Sequence, residues 1–343
     1  MESRAEKIRA FILKSITNHP KDIVSVTADK FSVTRTTVHR HLNRLAKDGK
    51  VLKTGTTNRV VYSLSSSRDK VIDVRIERKL EEHKIWQKLQ QDFLPLEKNI
   101  FDICEYGFTE IFNNAIDHSE GRYIRVVTLW STDAVTLRII DDGVGIFKKI
   151  KQALSLADER ESVFQLSKGK LTTDPKGHTG EGIFFTSRAF DKFSILANGL
   201  FYSKRNVEDD WFLETRKDKR DIGTVVSMEI GFDTNRSLKQ IFDSYANPET
   251  FKFDKTHIWV GLSKLEEESY ISRSQAKRLL FGLEKFREVI LDFKDVTTVG
   301  QGFVDEVFRI FKDRHPNVKI EFVNANEDVK FMILRGAGLQ SGT

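Results

Sequence analysis

Glu110, Asn113, Asn114 and Asp117 recur at i, i+3, i+4 and i+7 within the otherwise apolar run "FDICEYGFTEIFNNAIDHS". On a helix that spacing lines the four side chains along one face. Phe108, Ile111, Phe112, Ala115 and Ile116 dominate the rest, so a largely buried helix carries a polar line that needs partners. A metal–phosphate group is one such partner, and a carboxylate such as Glu110 can serve as a general base. Further on, "DDGVGIF" sets Asp141 at a strand end ahead of Gly143, Gly145 and Ile146, so a carboxylate can meet a ligand while the backbone stays close. "KGHTGEGIFF" then places Lys176, Gly177, His178, Thr179, Gly180 and Gly182 before an apolar helix, three glycines in six residues of a chain with only 20 in 343. Backbone amides bared in this way at a helix start suit phosphate. Finally "DIGTVVSMEI" brings Thr224 into a strand behind Gly223.

The elements that must position these residues follow from the same stretch. A helix covers 101–119, "RYIRVVTLWS" and "AVTLRIID" form a hairpin, and the polar stretch 148–176 reads as a lid. Together the four motifs resemble the GHKL ATPase family, shared by gyrase, heat-shock chaperones, histidine kinases and mismatch-repair ATPases, over residues 96–235. "EIFNNAIDHS" is similar to its N box, "DDGVGI" to its first glycine box and "GHTGEGI" to its second. The resemblance implies an α/β sandwich binding ATP and Mg²⁺. By it Asn114 would coordinate the cation, with Asp117 and His118 closing the same motif. Asp141 would accept a hydrogen bond from the adenine amino group, Thr224 assisting through water, with Gly143, Gly145 and Ile146 packed near the base. Gly177, Gly180 and Gly182, with Lys176, His178 and Thr179, would meet the phosphates. Glu110 would act as catalytic base, where two-component histidine kinases usually carry Asn. Lys168 and Lys170, beside the lid, read mainly as solvated charges.

The N-terminus is a different kind of segment. Residues 1–70 hold 15 Lys/Arg against 6 Asp/Glu, a net of +9, whereas the remainder, with 41 against 44, is at −3. A polyanionic partner is therefore a matter for this segment alone. "RAEKIRAFILKSIT", "DIVSVTADKF" and "SVTRTTVHRHLNRLAKDGKV" read as three helices, the third capped by Thr34 and buried through Val38, Leu42 and Leu45. Two strand-like pieces, "KVLKTG" and "NRVVYSL", follow. This arrangement over 1–67 resembles the winged helix-turn-helix family, which implies double-stranded DNA as partner. Arg35, Thr36, Thr37, Arg40, Asn43 and Arg44 would then face a major groove, where Arg pairs with guanine and Asn with adenine, and Lys53 and Arg59 would touch backbone from the wing.

Residues 68–95 read as a connector, a single helix over 69–93 with Ile72, Ile76, Leu80, His83 and Trp86 on one stripe, suited to homodimerisation or to leverage between domains. His83 lacks the acidic residue and proline expected of a phosphoacceptor. After a linker at 236–254, strands and helices alternate over 255–343, as in a small α/β layer domain. "ILDFKDVTTVGQGFVDEVFRIF" resembles STAS-like domains, with Thr297 and Thr298 as possible phosphoacceptors but without the Asp-Ser-Ser-Gly pattern of the anti-sigma antagonists. The fold class expected is thus multidomain α+β: winged helix, GHKL sandwich, STAS-like domain. Cys104 stands alone, which excludes an internal disulfide. No apolar run approaches a membrane span and "MESRAEKIRAF" lacks a signal-peptide core, so the chain is expected in the cytoplasm. The function expected is a transcription regulator in which ATP binding or hydrolysis governs DNA binding. The alternative is a Ser/Thr protein kinase acting on its own or a partner STAS-like domain.

Overall fold

The structure, a computed structural model, describes residues 4–48, 50–54, 60–64, 69–77, 80–131, 133–171, 180–208, 210–215, 223–263 and 272–336. The chain divides into two compact units, residues 1–72 with 127–136 and residues 73–126 with 137–343.

In the first unit, helices α1 (Arg4–Ser15), α2 (Ile23–Phe31) and α3 (Arg35–Lys47) precede an antiparallel hairpin of β1 (Val51–Thr54) and β2 (Val61–Leu64). Helix α3 begins at Arg35 because the Thr34 hydroxyl accepts from the Thr37 amide at 3.2 Å, satisfying one of the bare N–H groups of the first turn. Ile8, Ile12, Ile23, Val38, Leu42 and Leu45 close the core under Val51 and Tyr62 of the hairpin.

The single helix expected over 69–93 is not formed. Lys70–Arg75 is a strand, β3, and a helix starts only at Glu82, α4 (Glu82–Phe93). Val71, Ile72 and Val74 are β-branched, and pairing along a sheet suits such side chains better than a helix does. The apolar face of α4, Ile85, Trp86, Leu89 and Phe93, is buried within the chain. Trp86 is buried with its ring centroid 5.2 Å from both Phe93 and Phe108, against α5 (Lys98–His118). His83 is exposed and pairs with Glu81 at 3.4 Å.

After α5 come β4 (Tyr123–Trp130), β5 (Ala134–Asp141), α6 (Ile146–Leu154), α7 (Glu159–Lys168), α8 (Gly182–Ala189), β6 (Lys192–Ala197), β7 (Leu200–Arg205), β8 (Asp210–Thr215) and β9 (Thr224–Gly231). The large sheet has the order β3-β4-β5-β9-β6-β7-β8, and β6–β7, β6–β9 and β7–β8 are antiparallel. Because β9 inserts beside β5, the end of one strand, Asp141, lies next to the start of the other, Thr224. The stretch expected as a polar lid contains α6 and α7, and every residue of α7 from Ser162 to Lys168 is buried. The expected linker likewise contains a helix, α9 (Leu238–Tyr245).

The C-terminal part is a three-stranded parallel sheet, β10 (Lys255–Trp259), β11 (Glu288–Asp292) and β12 (Lys319–Val323), in that order. Helix α10 (Arg273–Leu280) connects β10 to β11, α11 (Gln301–Asp305) and α12 (Phe311–Arg314), joined by a π-helical segment, connect β11 to β12, and α13 (Glu327–Gly336) follows. Ser272 and Gln275 cap α10 reciprocally.

Truncation of Leu42, which is fully buried, to Ala is expected to cost about 2–5 kcal/mol in the first unit. The exposed neighbour Asn43→Ala should stay within about 0.5 kcal/mol. Urea denaturation of both variants checks the contrast.

Candidate functional site

The strand ends of the large sheet, α5 and the start of α8 enclose a cavity of about 110 Å³. Its lining includes Asn114, His118, Asp141, Ile146, Gly180 and Thr224, which the sequence places in four separate motifs. Apolar walls come from Ile111, Ala115, Ile139, Ile150, Leu166, Leu171, Ile183 and Val226.

Asp141 is the buried acid of this site, 6 % exposed. Its Oδ1 accepts from the Gly143 amide at 2.9 Å and the Thr224 amide at 3.1 Å. The Thr224 hydroxyl in turn accepts from the Ile146 amide at 3.1 Å, tying the start of α6 to β9. Gly223, at φ +59°, has no side chain because one would press on the Asp141 carbonyl and carboxylate. Burial holds the Asp141 carboxyl above the ordinary aspartate range, against the two amides and the Thr224 hydroxyl. Asp142 does a different job: its Oδ1 accepts from the amides of Arg122 and Tyr123, pinning the start of β4.

On α5 the cavity takes Ile111, Asn114, Ala115 and His118, a stripe one position away from the one expected. Asp117 is exposed and outside that lining, which corrects its place in the site. Asn114 belongs to both stripes, and so it faces the cavity. Glu110, one turn earlier, is half-buried with its carboxylate against Gly182, where a side chain would collide with it. Glu181, passed over in the sequence, is also half-buried, and burial raises its carboxyl against the pull of Lys170. Burial, then Glu110, then Glu181 push the Tyr106 hydroxyl upward, so two carboxylates and a phenol meet near the start of α8.

Gly145, at φ +85°, caps α6. Asn198 clasps this turn, accepting from Lys148 N–H and donating to Val144 C=O, both at 3.1 Å. Asn198 was missed, although Asn-Gly between two apolar runs is a hairpin signal. Lys149 also lines the cavity and pairs with Glu120 at 2.9 Å. Lys176, Gly177, His178 and Thr179 lie outside the described residues, as does Arg59. Lys168 is not solvated: it is 2 % exposed, and burial drives its ammonium well below the usual lysine range despite Glu284 and Glu161, while Lys170 is half-buried and pairs with Asp254.

On α3, Thr36, Arg40, Asn43 and Arg44 are exposed, as is Arg35. Arg35 donates to the Ser25 hydroxyl at 2.5 Å, Arg44 pairs with Asp48 at 3.2 Å, and Thr37 takes part in the cap. Burial, then the nearby Arg9 and Arg40, push the His41 imidazole downward. Lys53 is exposed on β1. Thr297 and Thr298 are exposed after β11, where Asn326 donates to the Thr297 carbonyl at 2.9 Å.

Residues 275–330 match the family model described as a STAS-like domain of unknown function (DUF4325). The C-terminal part is STAS-like. No curated protein matches the chain. Among solved structures, the IcIR transcriptional regulator from Alicyclobacillus acidocaldarius is similar over 71 % of this chain and 95 % of its own, at 13 % identity and a TM-score of 0.17. At that score the likeness bears on neither fold nor function. Among the described residues no helix is long and apolar enough to cross a membrane, and no three His, Cys, Asp or Glu side chains gather as a metal site.

Between the ordinary aspartate pKa of about 3.9 and the raised native value, the unfolded chain loses the Asp141 proton first. Its contribution to stability therefore falls as pH rises through that window. Asp141→Asn keeps the acceptor for both amides and removes the ionisation, so its stability relative to wild type should improve from pH 3.5 toward neutrality. Denaturation at stepped pH tests this; a constant difference would mean Asp141 titrates as an ordinary carboxyl.

Proposed function

We propose that the chain is an ATP-binding transcription regulator, with a GHKL-type nucleotide site in the second unit and a winged-helix DNA reader in the first. The observation that carries the first half is that Asn114, Asp141, Gly180 and Thr224 line one cavity although 110 residues separate the first from the last.

The donors and acceptors of the lining suit the ligand's chemistry. Asp141 offers a carboxylate acceptor, held by two amides, to an exocyclic amine. Gly180, at φ +72°, leaves room against the Leu171 backbone that a side chain would fill. Asn114 would hold Mg²⁺ through its amide oxygen, and with no acidic cluster among the described residues the cation would draw its other ligands from phosphate and water. Bound Mg-ATP supplies the transferable phosphoryl group. Glu110, one helical turn before Asn114, would orient the attacking oxygen and take its proton.

The DNA half is supported by the net +9 of residues 1–70 and by the exposure of Thr36, Arg40 and Asn43 along one face of a capped helix. The lever once expected over 69–93 is no part of the proposal, since β3 interrupts it. A second reading, a Ser/Thr protein kinase, is favoured by the STAS-like C-terminal part with exposed Thr297 and Thr298.

Calorimetry with ATP at millimolar Mg²⁺ should give saturable heat for wild type. Asp141→Asn should weaken it at least about tenfold, about 1.4 kcal/mol, because an amide N–H would then face the base amine. Glu110→Ala should bind as wild type but lose about 10²–10⁴-fold in turnover. Label from γ-phosphate on protein, rather than free phosphate, would select the kinase reading. Arg40→Ala and Asn43→Ala should each cost about 1–3 kcal/mol in sequence-specific DNA binding, measured at fixed salt.

A further inference from the structure

Six residues, Leu166 to Leu171, are held from two sides. Leu166 and Leu171 line the cavity with Asn114 and Asp141. Between them, Lys168 and Lys170 reach into the STAS-like part. The Lys168 ammonium donates to the Phe281 carbonyl at 2.8 Å and the Arg278 carbonyl at 3.4 Å, the C=O groups that end α10. It also donates to Gln165 Oε1 at 3.1 Å and lies 4.3 Å from the centre of the Phe164 ring. Its main-chain carbonyl accepts from the buried Thr256 hydroxyl of β10 at 2.7 Å. Lys170 donates to the Lys285 carbonyl at 2.8 Å and pairs with Asp254 at 3.3 Å. Gly169 between them, at φ +81°, leaves its face to Phe253 and Phe184.

A cation at the carbonyl end of a helix meets both the unsatisfied acceptors and the negative end of the dipole. Burying that ammonium is nonetheless costly, and buried ionic contacts are better attested as devices that set register than as sources of stability. The seam they cross is not packed as a core. A cavity of about 270 Å³, with Phe164, Gln165, Leu262 and Phe281 in its wall, lies along it. Protein–protein contact across the seam is interrupted there, which leaves the docking easier to undo.

The cavity on the other side of the strap is small. About 110 Å³ falls short of the roughly 300–1,000 Å³ of ordinary ligand pockets, so a nucleotide requires its walls to give. Two of those walls, Leu166 and Leu171, flank the anchored Lys168 and Lys170 in the chain. We propose that the 166–171 strap makes nucleotide binding and docking of the STAS-like part compete, so that an occupied cavity loosens the C-terminal domain and a tightly docked domain lowers nucleotide affinity. This rests on the reading of the cavity as a Mg-ATP site. Linkage makes the effect reciprocal.

The test uses the full chain and a non-hydrolysable ATP analogue with Mg²⁺. Lys168→Met, and separately the less buried Lys170→Met in case the first does not fold, should bind the analogue about fivefold or more tighter than wild type. In wild type, the analogue should speed hydrogen exchange at the end of α10 and in β10. Equal affinities within twofold together with unchanged exchange would overturn the competition while leaving the nucleotide site standing. Slower exchange at α10 on binding would overturn it too, by showing that the two events reinforce each other. Absence of binding by wild type and both variants would end the Mg-ATP reading itself, and the coupling with it.

Discussion

A carboxylate buried at the end of a strand has to find hydrogen-bond donors within its own neighbourhood, and Asp141 finds them in the main-chain amides of Gly143 and Thr224, 81 residues apart. That requirement draws the 141–146 turn and the start of β9 together. It explains why each segment carries a glycine where backbone must approach backbone: Gly223 against Asp141, and Gly143 against the Ser119 carbonyl at the end of α5. The Ser119 carbonyl in turn accepts from the Val144 amide at 2.9 Å, so the helix end joins the same knot. The cavity is the space left when these three chain segments are tied to one acid.

The second unit also buries cations. Lys168 ends α7 among carbonyls of the STAS-like part, and Arg188 lies 3.4 Å from the centre of the Phe184 ring while donating to the carbonyls of Ser167 and His257 at 3.3 Å. Both satisfy main-chain acceptors with little access to water. These contacts make α7 a wall shared by the cavity and the C-terminal domain, since Leu166 faces one while Lys168 enters the other.

Much of the local structure was legible. The start of α3 followed from Thr34, and its buried face from Val38, Leu42 and Leu45. Asn114, Asp141, Gly180 and Thr224 could be singled out from residue type and spacing alone. The errors have physical causes. Helix-forming residues at 77–93 masked the β-branched alternation before them, and a strand at a sheet edge carries little signal of its own. Residues 148–176 read as a solvated lid because Lys168, Gln165 and Ser162 are polar. Carbonyl acceptors at the end of α10, and the Thr256 hydroxyl of β10 that donates to the Lys168 carbonyl, are what make the burial of Lys168 tolerable. Asp117 was placed by a polar stripe, yet the cavity lies one position round α5, where apolar Ile111 and Ala115 share the wall.

By itself the sequence determined what short-range chemistry can decide: helix starts, the buried faces of α3 and α5, the confinement of positive charge to the first 70 residues, and the residue types a polar site would use. Periodicity and capping act over a few residues, so they can be read without knowing the fold. The tertiary structure alone decided that β9 inserts beside β5 and that two lysines of a polar stretch point into the STAS-like part. Those outcomes depend on which distant backbone groups happen to be left unsatisfied, a property of the assembled chain that no local pattern encodes.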